Sequence, residues 1–123
     1  MRALPHVLVA EDNALVCEAM RVLFSETGHR VSTAGHVAEI LDIAESDAVD
    51  LLLLDLGLAD GDGFEVLAQL KARGVTPRIV VALTGHDAPE IVARCRAEGC
   101  AAVLLKPVPV RELLRLANEW LEN

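Results

Sequence analysis

Tyrosine is missing from this 123-residue sequence, and Phe24, Phe64 and Trp120 are its whole aromatic complement. With 53% of the residues hydrophobic, the core has to be built from Leu, Val, Ile and Ala. Such a core favours an α/β layer fold, in which buried parallel strands read as unbroken aliphatic runs. Basic residues are also scarce: 11 Lys and Arg stand against 19 Asp and Glu, for a formal net charge of -8. That balance argues against direct binding to nucleic acid or to an anionic membrane. Cys17, Cys95 and Cys100 form no CxxC pair and are expected to be small buried hydrophobes in a reducing compartment. No apolar run approaches the ~18 residues of a membrane span. Pro5, His6 and the acidic pair Glu11 and Asp12 interrupt any secretory h-region. The expectation is a soluble, cytoplasmic domain.

What is present is an alternation. Short aliphatic runs at 7–10, 30–33, 51–54, 79–83 and 101–105 are separated by stretches with helical spacing. In the first such stretch the spacing picks out Leu15, Val16, Ala19, Val22 and Leu23. The second offers Val37, Ile40, Leu41 and Ala44, and the third Phe64, Leu67 and Leu70. Ile91, Val92 and Cys95 mark a fourth, and Val110, Leu113, Leu114, Ala117, Trp120 and Leu121 a fifth. Gly28, Gly74 and Gly99 each follow a helical stretch, where a left-handed residue ends a helix at little cost. One domain of alternating strands and helices, with right-handed crossovers, gives a parallel sheet covered on both faces.

Ligands of such sheets sit outside the carboxyl ends of the strands. The residues predicted just past those ends are Glu11 and Asp12, then Asp55, Thr84 and Lys106. Clustered carboxylates repel one another unless a cation lies among them. Hard oxygen donors suit Mg2+, which typically takes one or two carboxylates, several waters and a phosphate oxygen. A lysine opposite would offset the charge of an incoming phosphoryl group, and a threonine hydroxyl would hydrogen-bond one of its oxygens. The matching chemistry is phosphoryl transfer to a carboxylate nucleophile.

Read in order, these motifs resemble the receiver domains of two-component response regulators. Glu11-Asp12-Asn13 resembles the family's acidic pair. Asp55 with Asp62-Gly63 resembles the phosphoacceptor and the glycine opening the next helix. Thr84-Gly85 resembles the switch hydroxyl and its small neighbour, and Lys106-Pro107 the Lys-Pro pair whose peptide bond is usually cis. The match covers essentially the whole chain, so residues 1–123 are read as one receiver domain. The resemblance implies a flavodoxin-like (βα)5 sandwich with strand order 2-1-3-4-5. It implies Asp55 as phosphoacceptor, with Thr84 and Lys106 assisting. Mg2+ would be held by Asp12, Asp55 and the Gly57 carbonyl, with Glu11 acting through water. The implied partner is a sensor histidine kinase or a histidine phosphotransfer protein. The implied activity is that of a switch, monomeric or weakly dimeric, rather than of a turnover enzyme. The segment 95–99 and Lys106-Pro107-Val108 further resemble receivers attached to hybrid kinases.

The sequence departs from the family pattern at three places. Ala59 stands where proline is usual, Gly57 carries no side chain toward the phosphoryl position, and Val103 replaces the aromatic three residues before the lysine. Other readings compete with the leading one. In an aspartate-nucleophile phosphohydrolase of the haloacid-dehalogenase type, a second Asp would stand where this chain has Gly57. A pseudo-receiver, never phosphorylated, would usually have lost an acidic residue or the lysine. A flavodoxin would place a Ser/Thr-rich loop where Glu11 and Asp12 stand. The string Asp60-Gly61-Asp62-Gly63 invites a calcium loop, but Phe64 and Lys71 fall where ligands are needed, which leaves a turn and a helix start. His6, His29, His36 and His86 lack metal-ligand spacing, and only His86, two residues past Thr84, would border the site. With no output domain after Trp120, the expectation is a single-domain regulator, a phosphorelay shuttle or a piece of a larger kinase.

Overall fold

A computed structural model describes residues 4–58, 61–86 and 88–122. Five strands alternate with five helices: β1 (His6–Ala10), α1 (Ala14–Glu26), β2 (Arg30–Ala34), α2 (Val37–Ser46), β3 (Leu51–Asp55), α3 (Gly63–Arg73), β4 (Ile79–Thr84), α4 (Pro89–Ala97), β5 (Ala102–Leu105) and α5 (Val110–Glu122). All strand pairs are parallel, in the order β2-β1-β3-β4-β5. This is the flavodoxin-like arrangement expected from the sequence.

Alternation along the central strands divides the core in two. Val7 and Val9, Leu51 and Leu53, and Val81 and Leu83 face α1 and α5, where they meet Phe24, Met20, Leu113 and Ala117. Leu8 and Ala10, Leu52 and Leu54, and Val80 and Ala82 face the opposite way, onto Ile40, Leu41, Val66, Leu70 and Cys95 of α2, α3 and α4. Every residue of β1 and β3 is buried. Each fully buried leucine side chain contributes about 1.5–3 kcal/mol, which commits these strands to the centre. Cys95 and Cys100 are buried as expected, whereas Cys17 is only half-buried.

Local chemistry sets the helix ends. The Asn13 side-chain oxygen accepts hydrogen bonds from the N–H groups of Leu15 (3.0 Å) and Val16 (3.2 Å) and so caps α1. Asp62 does the same for α3, accepting from Phe64 N–H at 2.7 Å, which is the helix start expected in place of a calcium loop. Asp60 of that motif lies outside the described residues, as does Ala59. Gly74 closes α3 at φ 70°, a left-handed conformation that a Cβ would strain.

Two expectations are corrected. The core-facing residues of α1 are Met20 and Phe24, with Val16 packed against them, while Leu15 is 82% exposed and Val22 is 41% exposed. Leu15, Ala19 and Val22 share helical spacing as good as that of Val16, Met20 and Leu23. A helix carrying two apolar stripes can turn only one to the sheet. The second correction concerns Asp55 and Thr84, which are the last residues of their strands rather than the first residues beyond them. Backbone pairing persists to those positions: Asp55 lies opposite Leu83, and Thr84 O accepts from Lys106 N–H at 2.8 Å.

Candidate functional site

The carboxyl ends of β1, β3, β4 and β5 bring Glu11, Asp12, Asp55, Thr84 and Lys106 to one rim, where they line a cavity of about 630 Å3. The Lys106 ammonium bridges two carboxylates, at 3.0 Å from Asp55 Oδ2 and 3.2 Å from Glu11 Oε2. The other oxygen of each carboxylate is held by the backbone. Gly57 N–H donates to Asp55 Oδ1 at 2.9 Å, and Asn13 N–H to Glu11 Oε1 at 3.1 Å. The peptide bond between Lys106 and Pro107 is cis. Glu11 and Asp55 are buried, at 3% and 5% exposure, whereas Asp12 faces solvent.

Oxygens of Glu11, Asp12 and Asp55 lie within 4.8 Å of one another. Three carboxylates and one ammonium leave two negative charges in a partly desolvated pocket, a mismatch that a divalent cation would neutralise. The local electrostatics reflect that crowding. Burial pushes the Glu11 carboxyl above its ordinary pKa, and the neighbouring Asp55 charge adds to the rise, against the Asn13 N–H and the Lys106 ammonium. Burial alone would lower the Lys106 pKa, but its hydrogen bonds to Asp55 and Glu11 and their charges hold it above the ordinary lysine value.

Thr84 does not cap α4. The N-cap of that helix is Ala88, which makes no side-chain capping bond. Instead the buried Thr84 hydroxyl donates to the His86 carbonyl at 3.2 Å and accepts from His86 N–H at 3.1 Å, folding the start of the following loop over the strand end. His86 is exposed and lines the cavity. Gly57 is open: a Cβ there would come no closer than 3.7 Å, to Asp55 Oδ1.

The cavity also contains residues that the sequence reading did not place there. Phe64 and Ile91 read from the sequence as helix-stripe residues, and no motif includes Arg94. The Arg94 guanidinium lies 4.0 Å above the Phe64 ring and so joins α4 to α3 at the cavity wall. No spacing relative to Thr84 or Asp55 announces that contact, because it depends on how two helices pack.

The architecture is an α/β domain, a doubly wound parallel sheet with an acidic, lysine-bridged pocket beyond its strand ends. A family model described as the response regulator receiver domain matches residues 7–118, and the chain belongs to that family. It is similar to a putative transcriptional regulator of Pseudomonas aeruginosa, 33% identical over 113 residues that make up 91% of this chain and 54% of that protein. It is also similar to the transcriptional regulatory protein PdtaR of Mycobacterium tuberculosis, 30% identical over 88% of this chain and 52% of that protein. The chain therefore spans about half the length of these curated relatives. Among solved structures, the CheY-like response regulator receiver domain protein of Methanospirillum hungatei matches with a TM-score of 0.88 and 26% identity, over 98% of this chain and 95% of that one. Receiver domains are signalling switches, and membership in the family does not favour the phosphohydrolase or flavodoxin readings.

Proposed function

We propose that this receiver domain accepts a phosphoryl group on Asp55 from a phosphohistidine partner, with Mg2+ at the acidic cluster. The observation that carries the reading is the position of Asp55. It is a buried carboxylate at the end of β3, 3.0 Å from Lys106 and clustered with Glu11 and Asp12. The donor set is all hard oxygen, which fits Mg2+. Asp12, Asp55 and the Gly57 carbonyl would hold the ion, with Glu11 acting through water. When bound, the ion neutralises charge on the phosphoryl oxygens during transfer.

The chain's own groups do the rest. Gly57 N–H and Lys106 fix the two Asp55 oxygens, so the nucleophile is oriented before the donor arrives. The P–N bond of phosphohistidine breaks with its electron pair going to the imidazole, and a P–O bond forms to Asp55. Lys106 then pairs with the phosphoryl group. Thr84 exchanges its His86 contacts for a phosphoryl oxygen, which draws in the loop that leads to α4.

An apolar surface beside the site supports a helical partner such as a sensor histidine kinase or a histidine phosphotransfer protein. Leu15, Ala19 and Val22 lie exposed along α1, and a groove lined by Val16, Ala19, Pro107, Val108 and Val110 runs on to Glu11 and Lys106. We read residues 1–123 as one receiver unit, monomeric or weakly dimeric, working in the cytoplasm without direct nucleic-acid contact. No helix among the described residues is long and apolar enough to cross a membrane.

Incubation with acetyl phosphate and Mg2+ should add one acid-labile phosphoryl group, and Asp55→Asn should abolish it. Full labelling of the Asn variant would sink the assignment, and a wild type that takes up no label would leave the pseudo-receiver alternative standing. Phosphotransfer profiling against the histidine kinases and phosphotransfer domains of the source organism would name the partner.

A further inference from the structure

The family's usual route from the phosphoryl group to the surface is closed here, because β5 carries Val103 where an aromatic ring would swing. The cavity nevertheless has a long cationic side chain on its wall. Arg94 arises from the second turn of α4, and its guanidinium rests on Phe64 of α3, in the same cavity as Asp55, Thr84 and Lys106. No carboxylate among the described residues forms an ion pair with it.

α4 is also the most weakly seated helix. Only Cys95 is buried in it, and its first turn lacks a side-chain cap. Its far end is pinned by Cys95 in the core and by Glu98, whose Oε2 accepts from Lys71 Nζ at 3.3 Å. Its near end is held by Ile91 against the core, and Arg94, one residue before Cys95, rests on Phe64. A helix fixed at one end and loosely held at the other can pivot.

We propose that Arg94 is the residue through which this domain reports its phosphoryl group: on modification of Asp55 the guanidinium leaves Phe64, pairs with a phosphoryl oxygen and draws α4 with it. This rests on the phosphoacceptor reading above. Modification replaces one carboxylate charge by about two and adds strong acceptor oxygens. A charge-assisted bond from guanidinium to phosphoryl is stronger than an exposed cation–π contact, so the exchange is downhill. Arginine suits the task, because its planar fork can stack on a ring in one state and chelate a phosphoryl group in the other.

The test uses the whole chain with Mg2+ and beryllofluoride as phosphoryl mimic, followed by amide and arginine side-chain NMR. In the wild type, the amides of Glu90 to Arg94 and the Arg94 Nε–H should shift together. Arg94→Ala should lose the α4 response and bind beryllofluoride about tenfold more weakly, the size expected for one lost charge-assisted hydrogen bond. Arg94→Lys, which keeps the charge but loses the fork, should bind with an affinity between those of wild type and Arg94→Ala. If Arg94→Ala binds as tightly as wild type and still shifts its α4 amides, the inference is overturned. It is equally overturned if Lys and Ala variants are impaired alike, since packing on Phe64 would then be the whole effect. A wild type that shows no beryllofluoride response anywhere near Asp55 would remove the phosphoacceptor reading itself, a result distinct from either.

Discussion

The two ends of β1 bury polar groups in opposite ways. At the amino end His6, 1% exposed, is fully satisfied from within the chain. Its ring Nδ1 donates to Ala48 O at 2.9 Å, Nε2 pairs with Ser32 Oγ at 2.7 Å, and its backbone N–H donates to Asp50 Oδ2 at 2.8 Å. At the carboxyl end Glu11, 3% exposed, shares one lysine with Asp55 and has the Asp12 carboxylate beside it. Burial is the same and hydrogen bonds are made in both places. The difference is charge: the His6 end closes on itself, while the three carboxylates and one lysine of the Glu11 end stay two negative charges from balance. Burial of polar groups alone therefore does not mark a site. Burial combined with unbalanced like charge does.

The largest stability effect should fall at the closed end. His6→Ala strips the partners from Ser32 Oγ and Ala48 O and opens a cavity beside β2, and it should cost about 1–3 kcal/mol in denaturant unfolding. Labelling of Asp55 in the folded fraction should not change. A His6 variant that folds normally but loses labelling would erase the contrast between the two ends. The opposite sign is expected at the open end. Asp12→Ala removes one repelling carboxylate and should raise metal-free stability by up to ~1 kcal/mol, limited because Asp12 faces solvent. The same substitution should abolish the protection that Mg2+ gives by binding only the folded state. Equal Mg2+ protection of wild type and Asp12→Ala in a melting experiment would show that the cation sits elsewhere.

A smaller effect separates the cysteines. Burial drives the Cys100 thiol up to about 12 and also raises Cys95, so neither should react with iodoacetamide at pH 8 in the native protein. Cys17 is half-buried and donates its S–H to Glu11 O at 3.0 Å. Burial and the charges of Glu11, Asp12 and Glu39 raise its pKa as well, so it should label slowly, and first. Modification of Cys100 ahead of Cys17 would mean that the end of α4 opens more readily than its packing indicates.

The central strands and the site were both legible in the sequence, because each rests on a short-range signal. Leu51 to Leu54 can be little else than a buried strand, and Glu11, Asp55, Thr84 and Lys106 each mark the end of such a run. What the sequence hid depends on helix rotation. In α1, Leu15-Ala19-Val22 and Val16-Met20-Leu23 are equivalent patterns, and only contact with β1 and β2 decides which one faces inward. Arg94 is hidden for the same reason, since its place on Phe64 follows from how α4 packs on α3 and not from any spacing along the chain. Thr84 does not cap α4, because residues 85–88 separate it from Pro89 and its hydroxyl is taken up by His86.

The smallest expected change is at the far side of the molecule, and it follows from Val103. An aromatic at this position could transfer between surface and interior, so that α5 would sense what Thr84 does. Val103 pairs with Ala82 across the sheet and packs against the α2–α4 core, and its β-branched side chain has a single, stiff χ angle. Its movement cannot alter the α5 surface much. Thr84 and the loop after it can still respond, as can α4 through Arg94. With beryllofluoride, amide shifts should therefore gather at Asp12 and Asn13, at 57–63, and from Thr84 into α4, and should fade along Val110–Glu122. A receiver that keeps its signal on that side suits a relay, where a partner resting on Leu15 and Val22 reaches Asp55 directly. It suits dimerisation through α5 less well. Large shifts along α5, or a monomer-to-dimer transition through that helix on adding beryllofluoride, would show that the signal crosses the sheet without an aromatic carrier.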